Sequence, residues 1–330
     1  MVIKILTSAW PQIWETLNQG GSTWLFVVKL TLPALLVARF LLFFNWVPTV
    51  ASFFEPVMTL VGLPPETALI WVAGMIANHY VAISIYFSFL PIMEPLSLAQ
   101  MTVLGGMGLM AHSLLLEGQI CRGAGLSFWR VTLFRMLAAF LWGLVINQIA
   151  RLTGWGEEPA QRLSFLNFSS DPVPPWDLWI WLTLKQLLVI LVIIESLLLF
   201  IKLSNHLGLT RLLIKILGLP LRLVGINESV LMLTLIGGVL GLTYGGGLIV
   251  AESRSGHIPP QDIYNAMMLL CIFHSLIEDS FLMWSIGGSL IFFLFVRLVL
   301  ALVLSAAITR LADRVFWRPL LVGRKKDPAE

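Results

Sequence analysis

The chain has 330 residues, 58% of them hydrophobic and only 12% charged, with a formal net charge of +3. Several apolar runs reach the roughly 20 residues that a helix needs to cross a bilayer, so the composition marks a polytopic membrane protein. Two cysteines, Cys121 and Cys271, exclude a disulfide framework, and Lys and Arg too sparse to interleave with aromatics exclude a nucleic-acid surface.

Residues 1–21 lack a basic segment, a short apolar core and a small-residue cleavage site in that order, so they are expected to persist as an amphipathic lead-in. The first apolar run, about Trp24 to Trp46, carries Lys29, Pro33 and Arg39. An amphipathic piece, Val50 to Leu60, and the turn Gly62-Leu63-Pro64-Pro65 lead to Glu66, a carboxylate suited to a helix start. A second span is expected to about Leu90. The run from Leu98 to Leu116 contains Gln100 and His112 and stops at Glu117-Gly118, and a further span reaches about Ile149.

Residues 151–175 hold Gly154, Gly156, Glu157, Glu158, Asp171 and four prolines, which makes them an extramembrane connector. After it the order repeats: a span from Trp176 to Leu203, an amphipathic piece from Leu209 to Leu223, a turn at Gly225-Ile226-Asn227, and Glu228 opening the next span. Then follow a glycine-rich run from Gly237 to Gly247, a Pro259-Pro260 break, the His274 run and a last span to about Ala307.

The segment Phe273-His274-Ser275-Leu276-Ile277-Glu278-Asp279-Ser280 has an earlier version, Ala111-His112-Ser113-Leu114-Leu115-Leu116-Glu117-Gly118. At that one offset Glu66 falls on Glu228, Glu117 on Asp279, Gly125 on Gly287, Ser127 on Ser289 and Arg135 on Arg297. Polar residues in apolar surroundings that match at a single spacing point to an internal duplication. In the opening spans the offset shortens, so that Lys29 meets Lys185 and Arg39 meets Glu195. Opposite charges at equivalent positions predict contact between Arg39 and Glu195. The expected organisation is a lead-in at 1–21, a first repeat at 22–150, the connector at 151–175, a second repeat at 176–312 and a basic tail at 313–330.

Orientation follows from basic residues, which favour the cytoplasmic side of short loops. Lys202, Arg211, Lys215 and Arg222 mark the 202–227 loop as inside, whereas its counterpart, 46–65, has no Lys or Arg. Arg310, Arg314, Arg318, Arg324, Lys325 and Lys326 place the tail inside too. Both ends are satisfied if the His274 run dips in and returns. The predicted fold is therefore an all-α polytopic membrane protein of two inverted repeats, each about three transmembrane helices plus a re-entrant helical hairpin, with both termini cytoplasmic. Eight full spans in parallel repeats is the rival.

His274 and Glu278, four residues apart, share a helix face, and Cys271 and Asp279 lie beside them. Cys271, His274 and Glu278 are a candidate metal set; the same His and acids, with His112 and Glu117, are candidates for a proton relay or a hydrogen-bonded polar plug. Arg135 and Arg297, inside spans, each need an acid or an aqueous outlet: Glu117 for Arg135, and Asp279 or Glu278 for Arg297. The glycine run either packs helices closely or breaks one. If a solute binds there, Asn78, His79, Tyr80, Thr243 and Tyr244 are its expected contacts. There is no Walker loop, Gly-x-Gly-x-x-Gly, His-Glu-x-x-His, Cys-x-x-Cys or Gly-x-Ser-x-Gly, so neither an enzyme nor a cofactor is expected.

The amphipathic piece, Gly-x-x-Glu turn, Gly-rich span and His-Ser-Leu-x-Glu segment, present twice over about residues 24–150 and 178–312, resemble the nucleoside-recognition or Gate-domain family of bacterial membrane proteins. Relatives of that module occur in spore maturation proteins and in the membrane part of the GTPase-coupled ferrous-iron transporter. The resemblance implies a membrane-embedded gate or permease formed by repeated helical units. With ionisable residues repeated at membrane depth, the expected function is an inner-membrane secondary transporter or permease that moves a small solute, nucleoside-like ones among the candidates, with H+ or Na+ as coupling ion. Gly-rich faces leave room for a homodimer. A non-transporting scaffold and a divalent-metal permease are the alternatives.

Overall fold

The computed structural model describes residues 2–161 and 171–311. Among these residues all regular structure is helical, apart from one isolated antiparallel bridge between Ser97 and Pro159. In chain order the helices are α1 (Val2–Phe43), α2 (Val47–Ser52), α3 (Glu55–Leu60), α4 (Thr67–Ile76), α5 (His79–Phe89), α6 (Leu98–Met110), α7 (Leu114–Gly123), α8 (Phe128–Thr153), α9 (Trp176–His206), α10 (Leu209–Leu223), α11 (Glu228–Leu240), α12 (Leu242–Ser255), α13 (Pro260–Leu270), α14 (Glu278–Ser285) and α15 (Arg297–Leu311). Four stretches are long and apolar enough to cross a membrane: Glu15–Phe43, Leu98–Gly123, Phe128–Thr153 and Trp176–Ser204. The expected lead-in at 1–21 continues into the first of these as one helix. The expected tail at 313–330 lies outside the described residues, as do 162–170.

Polarity is inverted relative to a water-soluble protein. Leu25, Phe26, Leu188 and Val192 are exposed, whereas Glu117, Arg135, His274 and Arg297 are buried. Hydrocarbon around the chain makes both halves of that pattern favourable, because charges in lipid must face protein.

Helices α1 and α9 pack antiparallel. Arg39 donates to the Pro174 carbonyl at 2.8 Å, Trp24 Nε1 to the Leu187 carbonyl at 2.7 Å, and Gly20 lies against the Glu195 carboxylate. The expected Arg39–Glu195 contact is therefore absent. At 1.5 Å rise per residue the two side chains sit about 30 Å apart, at opposite ends of the pair. Arg39 instead stacks on Trp176, its guanidinium carbon 4.0 Å from the ring centroid.

Two helical hairpins form where full spans were expected. Helix α4 turns into α5 at Asn78, whose side chain accepts the Val81 N–H at 3.0 Å and caps the new helix. Gly74 then lies against Ala82 across the hairpin. Helix α11 turns into α12 at Gly241, with φ +97°, a backbone state that L side chains rarely adopt. The backbones of Gly237 and Gly245 meet there, so the glycine run both breaks the helix and lets its arms close.

The His112 run, expected to be a hairpin, is instead part of one stretch long and apolar enough to cross a membrane, broken at Ser113, and the His274 run breaks at the equivalent residue. Arg135 Nε donates to the Met110 carbonyl at 2.9 Å, Trp142 Nε1 donates to the Thr102 carbonyl at 3.1 Å, and Phe128 packs on Gly118. Helix α8 thus runs antiparallel beside α6 and then α7, which follow one another along it rather than folding back. In the second half Arg297 Nε reaches the Ile272 carbonyl at 3.2 Å in the same way. The breaks occur at Ser113 (φ +45°) and Ser275 (φ +46°). Left-handed backbone at a non-glycine residue costs on the order of 1–3 kcal/mol and persists only where surroundings enforce it. Those surroundings are the hairpin tips: Ser113 N–H donates to the Gly74 carbonyl at 3.0 Å, its hydroxyl to the Ala77 carbonyl at 2.8 Å, and Leu276 N–H to the Gly238 carbonyl at 2.9 Å.

Candidate functional site

The two broken runs cross at their breaks, and the tip of the first hairpin joins them. A helix break leaves carbonyls short of the N–H groups of the next turn, and both histidines reach back to one. His112 Nδ1 lies 3.1 Å from the Gly108 carbonyl, which also accepts the Ala111 N–H, and His274 Nδ1 lies 2.7 Å from the Leu270 carbonyl. This fixes both rings with Nε2 pointing inward. The two Nε2 atoms stand 3.2 Å apart, and Glu117 Oε1 lies 3.2 Å from each. The other Glu117 oxygen pairs with Arg135 at 2.5 Å. All four side chains are buried.

A second triad shares His112. His79 Nε2 is 3.7 Å and His112 Nε2 4.0 Å from Asp279 Oδ2, and the His79 and His112 rings overlap with centroids 3.8 Å apart. His79 Nε2 and Asp279 Oδ2 are buried and make no hydrogen bond. His79, expected as a solute contact, opens α5 at the first hairpin tip and lies against Asp279 and His112 instead; glycine holds the matching place in the second hairpin.

The expected ion pair of Arg297 with Asp279 or Glu278 is not formed within 4 Å. Its guanidinium donates to three carbonyls, two at the second break, Ile272 (3.2 Å) and His274 (2.9 Å), and one beside the first, Leu109 (3.3 Å). A fork of five donors matches several freed carbonyls better than one carboxylate does. Cys271, His274 and Glu278 do not converge: Cys271 Sγ faces Cys121 Sγ at 3.3 Å, behind the histidines. Glu278 and Tyr80 stay within electrostatic reach of Asp279 at the edge of the cluster. The Asn78 amide oxygen is taken by its capping bond, and the side chains of Thr243 and Tyr244 lie outside the described residues.

Three carboxylates (Glu117, Glu278, Asp279) thus stand with two guanidiniums (Arg135, Arg297) around three imidazoles. Glu117 is paired with Arg135, whereas among the described residues the buried Asp279 has ion-pair contacts only with His79 and His112, and a carboxylate held away from water without a cation is costly. The centre can therefore hold a cation or pass one. Beside His79 the packing leaves a cavity of about 30 Å³, lined by Trp71, Gly74, Tyr86 and Met283 among others. That is room for about one water molecule and not for a nucleoside.

No protein-family model matches this chain, and no solved structure does. It is similar to the uncharacterized membrane protein YvoD of Bacillus subtilis (strain 168), with 25% identity over 279 residues covering 82% of this chain and 84% of that one. The apolar helices and that similarity agree: the chain is a helical membrane protein.

Proposed function

We propose that the chain is an inner-membrane permease of the Gate type, built from two inverted repeats, that moves a small solute coupled to an H+ or Na+ gradient, with the buried His112–His274 centre on the coupling or substrate path. The observation that carries this reading is the meeting of equivalent residues from the two halves in a buried cluster of ionisable side chains. Intramembrane ionisable groups are expensive and mark ion or substrate paths. The antiparallel packing of α1 on α9, equivalent helices of the two halves, supports inversion, because repeats related by an axis in the membrane plane run opposite ways. Each repeat then has three spans, the second broken, and one re-entrant hairpin whose non-helical tip is buried against protein, the setting in which irregular backbone is tolerated at depth.

A non-transporting scaffold is the second reading, favoured by the small cavity at the cluster. Proteoliposomes with an imposed proton or sodium gradient separate the two, with nucleosides, nucleobases, divalent metals and organic anions as labelled probes. Gradient-driven accumulation of one probe, lost in His112→Ala, is the expected result. No accumulation of any probe, or unchanged accumulation in that variant, favours the scaffold.

A further inference from the structure

We infer that His112 Nε2, His274 Nε2 and Glu117 Oε1 are the three protein ligands of a divalent transition-metal site, with the fourth coordination position open. A backbone carbonyl only accepts hydrogen bonds, so the contacts at Gly108 and Leu270 put the proton of each neutral imidazole on Nδ1. Each Nε2 then presents a lone pair. Glu117 Oε1 is a third acceptor, and the three atoms form a triangle with every edge 3.2 Å and no donor inside it. Three mutually facing acceptors repel one another unless a cation sits among them.

The size of the triangle selects the cation. Ligands bound tetrahedrally at 2.0–2.1 Å from zinc lie about 3.3 Å apart, close to all three edges. A proton on one imidazole relieves pairs of atoms along lines, whereas a metal ion satisfies all three at once. Two imidazoles and one carboxylate suit zinc, ferrous iron, nickel or copper and not magnesium or calcium. The ligands are also oriented from behind, as metal ligands are: each imidazole by a carbonyl on Nδ1, and Glu117 by Arg135 on its second oxygen. Three ligands with an open position make a site that exchanges its ion or binds a further group, unlike the closed four-ligand sites that only hold a fold. On the other side of His112, His79 Nε2 and Asp279 Oδ2 are buried without hydrogen-bond partners. They offer an ion a second resting place that keeps His112 as a ligand.

The site can be tested apart from transport. The full chain, purified in detergent through a tag free of histidine and stripped with a chelator, is titrated with Co2+ while its visible absorption is recorded. One cobalt per chain with four-coordinate bands is expected. Zn2+ should displace it and Mg2+ should not, and affinity should fall as pH is lowered because protons compete for the imidazoles. Glu117→Gln and His274→Ala should each weaken binding by about tenfold or more. His257→Ala should leave it unchanged, since His257 pairs with Glu252 on the exposed surface. Substoichiometric cobalt on the folded wild-type chain overturns the proposal without needing any variant. So does full binding retained in His112→Ala/His274→Ala. A chain that binds cobalt but accumulates nothing in liposomes keeps the site and loses the permease.

Discussion

His112 Nε2 and His274 Nε2, 162 residues apart in sequence, face each other at 3.2 Å in the buried centre of the molecule. Each is the other's counterpart in the duplication, so one substitution removes half of a shared arrangement. His112→Ala and His274→Ala are therefore expected to be non-additive, with a coupling of about 0.5–3 kcal/mol in unfolding free energy, as for residues that share partners. Reversible unfolding in mixed detergent micelles, compared for the wild type, both single variants and the double variant, measures it. Additivity within about 0.5 kcal/mol would show that the two imidazoles act independently.

The Glu117–Arg135 pair makes a second, sharper comparison. Glu117→Leu leaves a buried guanidinium with only the Met110 carbonyl to bind, and loss of one partner of a buried pair costs about 3–5 kcal/mol. Adding Arg135→Met removes that orphaned charge and should recover most of the loss, because well-packed apolar replacements of buried ion pairs are often nearly neutral. The same unfolding assay reads both. A double variant as unstable as the sum of its parts would mean that Arg135 supports the fold through its carbonyl bond rather than through Glu117.

The polar self-match was enough to bring His112, Glu117, His274 and Asp279 into one neighbourhood, because a polar residue kept at one offset in apolar surroundings has few structural excuses. What broke the symmetry was harder to read. His79 has a glycine at its matching place, so the comparison of the two halves gives it no counterpart: it is legible as a candidate contact beside Asn78 and Tyr80, and not as a partner of His112 and Asp279. Two arms of 10–14 residues and one long span have the same hydropathy, and either arrangement leaves the basic loops on the same side, so the sequence pattern does not decide which element folds back. Arg39 and Glu195 failed for another reason: equivalent positions on antiparallel helices meet only near the middle of the pair. Both residues lie toward its ends.

The second hairpin depends on backbone contact at Gly237 and Gly245. A Cβ on Gly245 would fall on the backbone of Gly237, which cannot swing aside as a side chain can. Gly245→Ala is expected to cost about 1–3 kcal/mol or more as an overpacking substitution. Gly247, two residues on in the same helix, has nothing within 4 Å of its Cβ position, so Gly247→Ala should be neutral or stabilising by up to about 1 kcal/mol. Thermal unfolding of the two variants checks the contrast. Equal effects would place the close approach of α11 and α12 in doubt.

Residue 257 separates the hairpin from a full crossing. If α11 and α12 enter and return, Ser255 to Pro259 lies on the same side as the basic 202–227 loop, which the distribution of Lys and Arg assigns to the cytoplasm. If the stretch from Glu228 to Ser255 crossed completely, residue 257 would emerge on the opposite face. The His257 side chain is exposed, so a cysteine there is open to reagent. In a Cys121→Ser/Cys271→Ser background, His257→Cys should resist a membrane-impermeant maleimide in intact cells and react once the cells are permeabilised. Labelling in intact cells would make α11 and α12 a crossing. The two halves would then no longer be related as inverted units around the His112–His274 contact.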